Sequence, residues 1–315
     1  MRKGWSTSRT GETLWLVAVL CSMIALLAAA DSRTFNVRET ITFVNDGPGE
    51  CTKLKIVVGL FQDWTPYIEV LSETIGPSSY RITTDEFGNR FAEFTIYNLR
   101  RGQQVPVTLD WRIEVAQLSF DLAACDGSGV PADIERYLRS EDFIESSDAQ
   151  IVAVADSLAA GRSGPCETVE AIYDYVITNI TYAGYLADPQ GALSCLRNRQ
   201  GDCTEFSCLM TALCRAAGIP ARMIEGVTNE AGDEVHSWME AYLPGHGWVP
   251  FDPTWGRHPG DREKYLAAVT ADHIPLVIGI GLDAFDGFSY WAYWYWWDSQ
   301  STSVSTSGYD WSVRP

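Results

Sequence analysis

The spacing of apolar residues changes period along this chain, and that change restricts the fold more than any other feature. From Arg33 to about Leu122 the sequence runs in short strand-type segments: Thr34–Val44, Lys53–Leu60, Ile68–Leu71, Arg90–Tyr97, Val105–Val115 and Gln117–Leu122. All are rich in Val, Ile, Thr and aromatics. Turn-forming runs separate them: Asn45-Asp46-Gly47-Pro48-Gly49, Gly76-Pro77-Ser78-Ser79 and Asp85-Glu86-Phe87-Gly88-Asn89. About six strands in roughly ninety residues predict an antiparallel β-sandwich of immunoglobulin-like size. Past a linker at Asp126-Gly127-Ser128-Gly129 the period becomes helical. A helix is expected over Ile151–Ala160, stopped by Gly161. A second opens at Gly164-Pro165, with Val169, Ile172, Tyr173, Val176, Ile177 and Ile180 on one face. A third starts near Cys203, carries Phe206, Leu209, Met210 and Leu213, and ends at Gly218 before Pro220. Strand-type segments return at Ala221–Val227, Val235–Leu243 and Gly247–Phe251. Helices followed by an antiparallel sheet make an α+β domain.

The first thirty residues set the compartment. Arg2, Lys3 and Arg9 precede an uncharged apolar run, Leu14 to Ala30, that closes on Ala28-Ala29-Ala30 before Asp31. This is the pattern of a signal peptide, and its length also suits an N-terminal anchor. The expected division is therefore 1–30 signal peptide or anchor, 31–122 β-sandwich, and 130–315 α+β domain. No later run is as long, so the body is expected to be soluble and exported, secreted or extracytoplasmic. Asp plus Glu number 41 against 23 Lys plus Arg, a formal charge of −18. Residues 1–30 carry a net +2, so their removal leaves −20. Such a surface repels phosphate backbones and anionic lipid, which argues against a nucleic-acid partner and leaves membrane contact only to residues 14–30.

Three residues stand where local structure gives them chemistry. Cys203, in Gly201-Asp202-Cys203-Thr204-Glu205-Phe206, opens a helix, where free N–H groups and the dipole favour a thiolate nucleophile. The glycine ahead of it allows substrate to approach, and the Cys203 N–H can stabilise an oxyanion. His236 lies on a strand whose alternation groups it with Trp238, Glu240 and Tyr242. Pro244-Gly245-His246-Gly247 turns the chain back through Trp248 to Asp252, nearly opposite His236. Nucleophile, base and orienting carboxylate then follow in chain order. Singly, Cys203 can be half of a disulfide, His236 a core histidine and Asp252-Pro253 a turn. Together they satisfy the geometry of a triad.

These residues also carry a resemblance. Gly201-Asp202-Cys203, Leu213-Cys214-Arg215-Ala216-Ala217-Gly218-Ile219-Pro220-Ala221-Arg222, His236-Ser237-Trp238-Met239-Glu240-Ala241-Tyr242 and Gly247-Trp248-Val249-Pro250-Phe251-Asp252-Pro253-Thr254 resemble the transglutaminase-like superfamily over roughly residues 165–256. More weakly, the sandwich with its Asp85-Glu86-Phe87-Gly88-Asn89-Arg90 turn resembles the N-terminal domain of secreted microbial members. The resemblance implies a papain-like core with Cys203, His236 and Asp252 as catalytic triad. It also implies acyl transfer from a carboxamide or peptide through a thioester, to water (a cysteine peptidase or amidase) or to an amine (a transamidase). Hydrolysis is favoured, because a bare core without accessory modules asks less of a second substrate. Tyr182 is a candidate oxyanion donor, or else a tyrosine packed on the preceding helix. The expected partner is a peptide or protein, including cell-envelope material. The competing reading is a non-catalytic envelope protein that uses the fold as a scaffold.

No cofactor or metal is expected: there is no acidic loop with calcium spacing, no Cys-x-x-Cys, and His236, His246, His258 and His273 are scattered. With Cys21 in the leader and Cys203 reserved for chemistry, six cysteines remain for up to three disulfides. Cys51 and Cys125 flank the sandwich and are the expected pair. Cys208 and Cys214, six apart on one helix, point to different sides and do not pair. Asn179-Ile180-Thr181 fits a glycosylation acceptor. The aromatic run Phe288 to Trp297 is expected to supply core strands that close the sheet, against a glycan-stacking surface or a membrane-interface anchor.

Overall fold

Period-two alternation produces the first layer. In β1 (Ser32–Asn45) Phe35, Val37, Ile41 and Phe43 point inward and are buried, while Asn36 and Arg38 between them are exposed. The computed structural model of the protein describes residues 31–125, 131–229, 235–285 and 290–315; the leader 1–30 and the linker 126–129 lie outside the described residues. Five further strands follow: β2 (Cys51–Leu60), β3 (Ile68–Gly76), β4 (Tyr80–Thr84), β5 (Arg90–Leu99) and β6 (Gln104–Ala116). The expected strand over Gln117–Leu122 shrinks to Leu118–Ser119, which pairs with Ala268–Val269.

The helical period gives α1 (Ala149–Ala159), α2 (Pro165–Asn179), α3 (Gly191–Asn198) and α4 (Cys203–Ala216). Next come β7 (Ala221–Thr228), β8 (Val235–Leu243), β9 (Gly247–Phe251) and β10 (His273–Ile278), which form one antiparallel sheet in the order β9-β8-β7-β10. Its two faces serve two cores. Met223, Met239 and Ala241 pack with Phe206, Leu209 and Leu213 of α4. Ile224, Trp238 and Ile274 join the core of the sandwich on the opposite face. The sheet is therefore the middle layer of three, with helices on one side and the sandwich on the other.

The last two strands correct the expected domain division. β11 (Trp291–Trp296) pairs antiparallel with β2, and β12 (Val304–Arg314) with β1. The sandwich sheets run β12-β1-β6-β3 and β11-β2-β5-β4, so residues 291–314 complete the N-terminal layer instead of closing the sheet of the α+β domain. Without them β1 and β2 would be open edges. Phe43 explains the aromatic preference, with its ring 5.7 Å from Trp291 and 5.2 Å from Tyr293 across the sandwich. On the outer face, Lys53 and Lys55 lie over Trp296 and Trp294 at 4.8 and 5.4 Å.

The expected Cys51–Cys125 bridge does not form. Cys125 is bonded to Cys166 in the first turn of α2, and Cys51 is a free thiol buried in the sandwich. Cys51 opens β2 facing the core, whereas Cys125 follows a short 3-10 helix (Leu122–Ala124) that brings it to α2. Cys195, Cys208 and Cys214 are likewise buried free thiols, so among the described residues there is one bridge, not three. No described helix is long and apolar enough to cross a membrane.

Candidate active site

The start of α4 is fixed by a capping box. The Asp202 side chain accepts from the Thr204 N–H at 2.8 Å, and Glu205 reaches back to the Asp202 N–H at 3.1 Å. Cys203 is thereby the first helical residue. Gly201 has a different reason from the expected one: a Cβ there would sit 2.2 Å from Glu205 Cβ, so the glycine makes room for the capping carboxylate, not for substrate. Gln200–Gly201 also pairs in parallel with Thr181–Tyr182, which brings Tyr182 beside the loop that leads into Cys203.

One turn along α4, Ser207 donates to the Ser237 carbonyl at 3.0 Å and ties the helix to β8 next to His236. In the β8–β9 hairpin Met239 pairs with Phe251, and Asp252 is one step beyond, across from Trp238. Asp252 is thus on the diagonal from His236 and not directly opposite, still within reach on the same face. His236 Nε2 meets Asp252 Oδ2 at 2.8 Å, and Cys203 lines the same cavity wall as the ring and acts on it electrostatically. With Nε2 engaged by Asp252, Nδ1 is the ring nitrogen left available to a thiol. The structure thus places Cys203, His236 and Asp252 close together. Tyr182 lines the same cavity, with Arg257 4.4 Å over its ring.

Sequence reasoning missed His273. It is fully buried on β10, and its Nε2 reaches the same Asp252 oxygen at 3.0 Å. Its Nδ1 faces Thr270 Oγ1 at 3.3 Å. Asp252 Oδ1 accepts from the Thr254 and Trp255 N–H groups at 2.8 and 3.0 Å, so four hydrogen bonds converge on one carboxylate. Burial alone would raise its pKa, but His236 and His273 outweigh burial and hold it well below the usual carboxylate range. Burial would likewise lower His236, yet the charge and hydrogen bond of Asp252, helped by Cys203, raise it to about 10. His273 is shifted the other way by burial, against the pull of Asp252, and stays neutral. Trp255 lies 4.5 Å from the His236 ring at 16° and screens the pair from water. His236, Asp252 and His273 each offer one ligand atom, all within 4.8 Å of one another, and are types that zinc accepts. Here the carboxylate oxygen itself lies between the two rings and accepts from both.

Two cavities of about 260 Å³ each meet at Cys203 and His236. One is walled by Tyr182, Trp255, Arg257 and His258; the other by Glu225, Tyr290, Trp291 and Tyr309. Among the described free cysteines Cys203 alone is not buried. Burial pushes the Glu225 carboxyl up to about 8.

Residues 152–253 match the family model of the transglutaminase-like superfamily. The uncharacterized protein YebA of Bacillus subtilis is 31% identical over 147 residues, 39% of this chain and 20% of YebA. A protein-glutamine gamma-glutamyltransferase of Pseudomonas aeruginosa is 34% identical over 84 residues, 23% of this chain and 13% of that protein. The chain thus spans at most a fifth of the length of these two curated relatives. Among solved structures, a candidate cysteine protease from Cytophaga hutchinsonii superposes with a TM-score of 0.63 at 17% identity, covering 90% of this chain and 91% of that one. At that identity the likeness shows the fold alone.

Proposed function

Because residues 152–253 form a domain of the transglutaminase-like superfamily, we propose that the protein is an exported thiol enzyme that transfers acyl groups from a peptide or carboxamide through Cys203. The observation that carries this reading is the buried His236–Asp252 pair at 2.8 Å, set against a cysteine that opens a helix.

In the proposed reaction His236, kept protonated by Asp252, already holds the thiol's proton as an imidazolium paired with the Cys203 thiolate, and the sulfur attacks the carbonyl carbon while the C=O pair moves onto oxygen. The oxyanion accepts from the Cys203 backbone N–H and, as second donor, from Tyr182. On collapse the C–N bond breaks, His236 returns its proton to the leaving nitrogen, and ammonia or an amine departs. Water or an amine then attacks the thioester, giving its proton to His236 as the C–S bond breaks. Asp252 stays ionised throughout, holding the imidazole in the tautomer that leaves Nδ1 free for the sulfur. Hydrolysis is the proposed main outcome, and the substrate a peptide or protein outside the cytoplasm.

The test is incubation with amide-bearing proteins, with and without an added primary amine, comparing the protein with Cys203→Ala. Cleavage, ammonia release or amine incorporation that depends on Cys203 supports the reading, and the split between products decides hydrolysis against transamidation. Product formation equal in both proteins, or absent from both across such substrates, overturns it.

A further inference from the structure

One half of the cleft holds an acid that the chemistry above does not use. Glu225 lies on β7 across from Ser237 of β8, and the β7–β10 pairing shifts register immediately after it. Such an irregularity re-aims a side chain beside a site. Glu225 is only 7% exposed, yet it lines the cavity shared with Cys203 and His236. Burial is the sole cause acting on its carboxyl, which has no hydrogen-bond or ion-pair partner among the described residues.

The facing wall comes from the C-terminal segment that completes the sandwich. Tyr290, Trp291 and Tyr309 line this half, with Trp291 and Tyr309 packed edge to face at 5.5 Å. The Tyr290 hydroxyl donates to the Gly226 carbonyl at 3.0 Å and is occupied, which leaves its ring as the available surface. Among the described residues no Lys or Arg lines this half, whereas Arg257 and His258 line the other. A buried acid without a partner is costly to ionise, and an apolar ligand would leave it unsatisfied, whereas a nearby cation draws it into its charged form. A cation would satisfy it, and aromatic faces add further attraction.

We propose that this half of the cleft is a subsite for a cationic side chain of the substrate, an ammonium or guanidinium seated against Glu225 with its alkyl stem along Tyr290, Trp291 and Tyr309. The proposal rests on reading the cleft as the substrate site, and it assigns the charge of the substrate there. The cation is a recognition group and not the attacking amine, so a guanidinium, which is no acyl acceptor, binds as well as an ammonium. The chain's net charge of −18 draws such groups toward the cleft. The C-terminal aromatic segment then does two things: it closes the sandwich and selects substrate.

The experiment is saturation-transfer NMR on the Cys203→Ser protein, with n-butylguanidinium as probe and n-butanol as its neutral counterpart. The guanidinium is expected to bind saturably, and Glu225→Gln to weaken it by about tenfold or more. Glu225→Asp, which keeps the charge, should retain most of the binding and so controls for misfolding. Equal binding of the alcohol, or guanidinium binding unchanged in Glu225→Gln, overturns the proposal. None of these readings requires turnover, so a failed cation site leaves the enzyme reading standing, and a failed enzyme reading leaves the cation site measurable.

Discussion

Replacing Asp252 with Asn tests the electrostatic core of the site. The carboxylate is fully buried, and both of its oxygens are used, by the two histidine rings and by the Thr254 and Trp255 N–H groups. Asn can still accept from the two backbone groups, but it turns an NH₂ toward rings that are themselves donating. His236 must then protonate on Nδ1, the nitrogen the thiol needs. A ring raised from 6.5 to about 10 adds stability that is complete below 6.5 and is lost as pH rises toward 10. Asp252, depressed from 3.8, adds stability that is present above that value and lost as pH falls. The pair therefore contributes most between about pH 4 and 6.5, with about 4 kcal/mol from His236 remaining at pH 7. Asp252→Asn should lower unfolding free energy at pH 7 by about 3–5 kcal/mol and flatten its decline above pH 6.5. It should also slow acylation of Cys203 by roughly 10⁴-fold, as wrong-tautomer variants of such triads do. Urea unfolding from pH 5 to 9, with acylation by p-nitrophenyl acetate, measures both. A stability loss under about 1 kcal/mol, or acylation within about tenfold of the parent, would refute the reasoning.

Three further outcomes follow from named contacts. His273→Phe removes one of two ring bonds to Asp252 Oδ2; it should slow acylation about 10–100-fold and raise the pH at which His236 titrates, because Oδ2 then serves His236 alone, with partial rescue by Gln. An unchanged pH profile would reduce His273 to packing. Gly201→Ala drives a Cβ to 2.2 Å from Glu205 Cβ, so the capping box should break at a cost of about 1–2 kcal/mol, read as a lowered melting temperature. Cys125→Ser with Cys166→Ser opens a bridge spanning 41 residues and should lower urea stability by about 2–4 kcal/mol while leaving acylation rates nearly unchanged.

What the sequence made legible was local. Alternation in Thr34–Val44 and Val235–Leu243 reports strand faces directly, and Cys203 is readable because Asp202 and Glu205 form a capping signature around it. Asp252 was reachable because a hairpin fixes its register through a short turn. His273 was not, because it reaches Asp252 through β10, which joins the sheet on the far side of β7, and no sequence spacing encodes that pairing. The aromatic segment failed for the same reason. Trp291 to Trp296 reads correctly as a strand, but its partner β2 lies more than two hundred residues upstream. The Cys125–Cys166 bridge depends on where a short helix after the sandwich delivers Cys125, which the spacing of cysteines does not contain.

The proposed reaction stands on Cys203 acting as a nucleophile served by His236. The most direct measurement is the burst of p-nitrophenolate on mixing the protein with p-nitrophenyl acetate, followed by peptide mapping of the acetyl group. Cys51, Cys195, Cys208 and Cys214 are all buried, so the label has a clean reference set. One acetyl group per molecule is expected, on Cys203, with the burst abolished in Cys203→Ala and strongly slowed in His236→Ala. Acetylation spread over other residues, or a burst in His236→Ala as fast as in the parent protein, would contradict the proposed reaction.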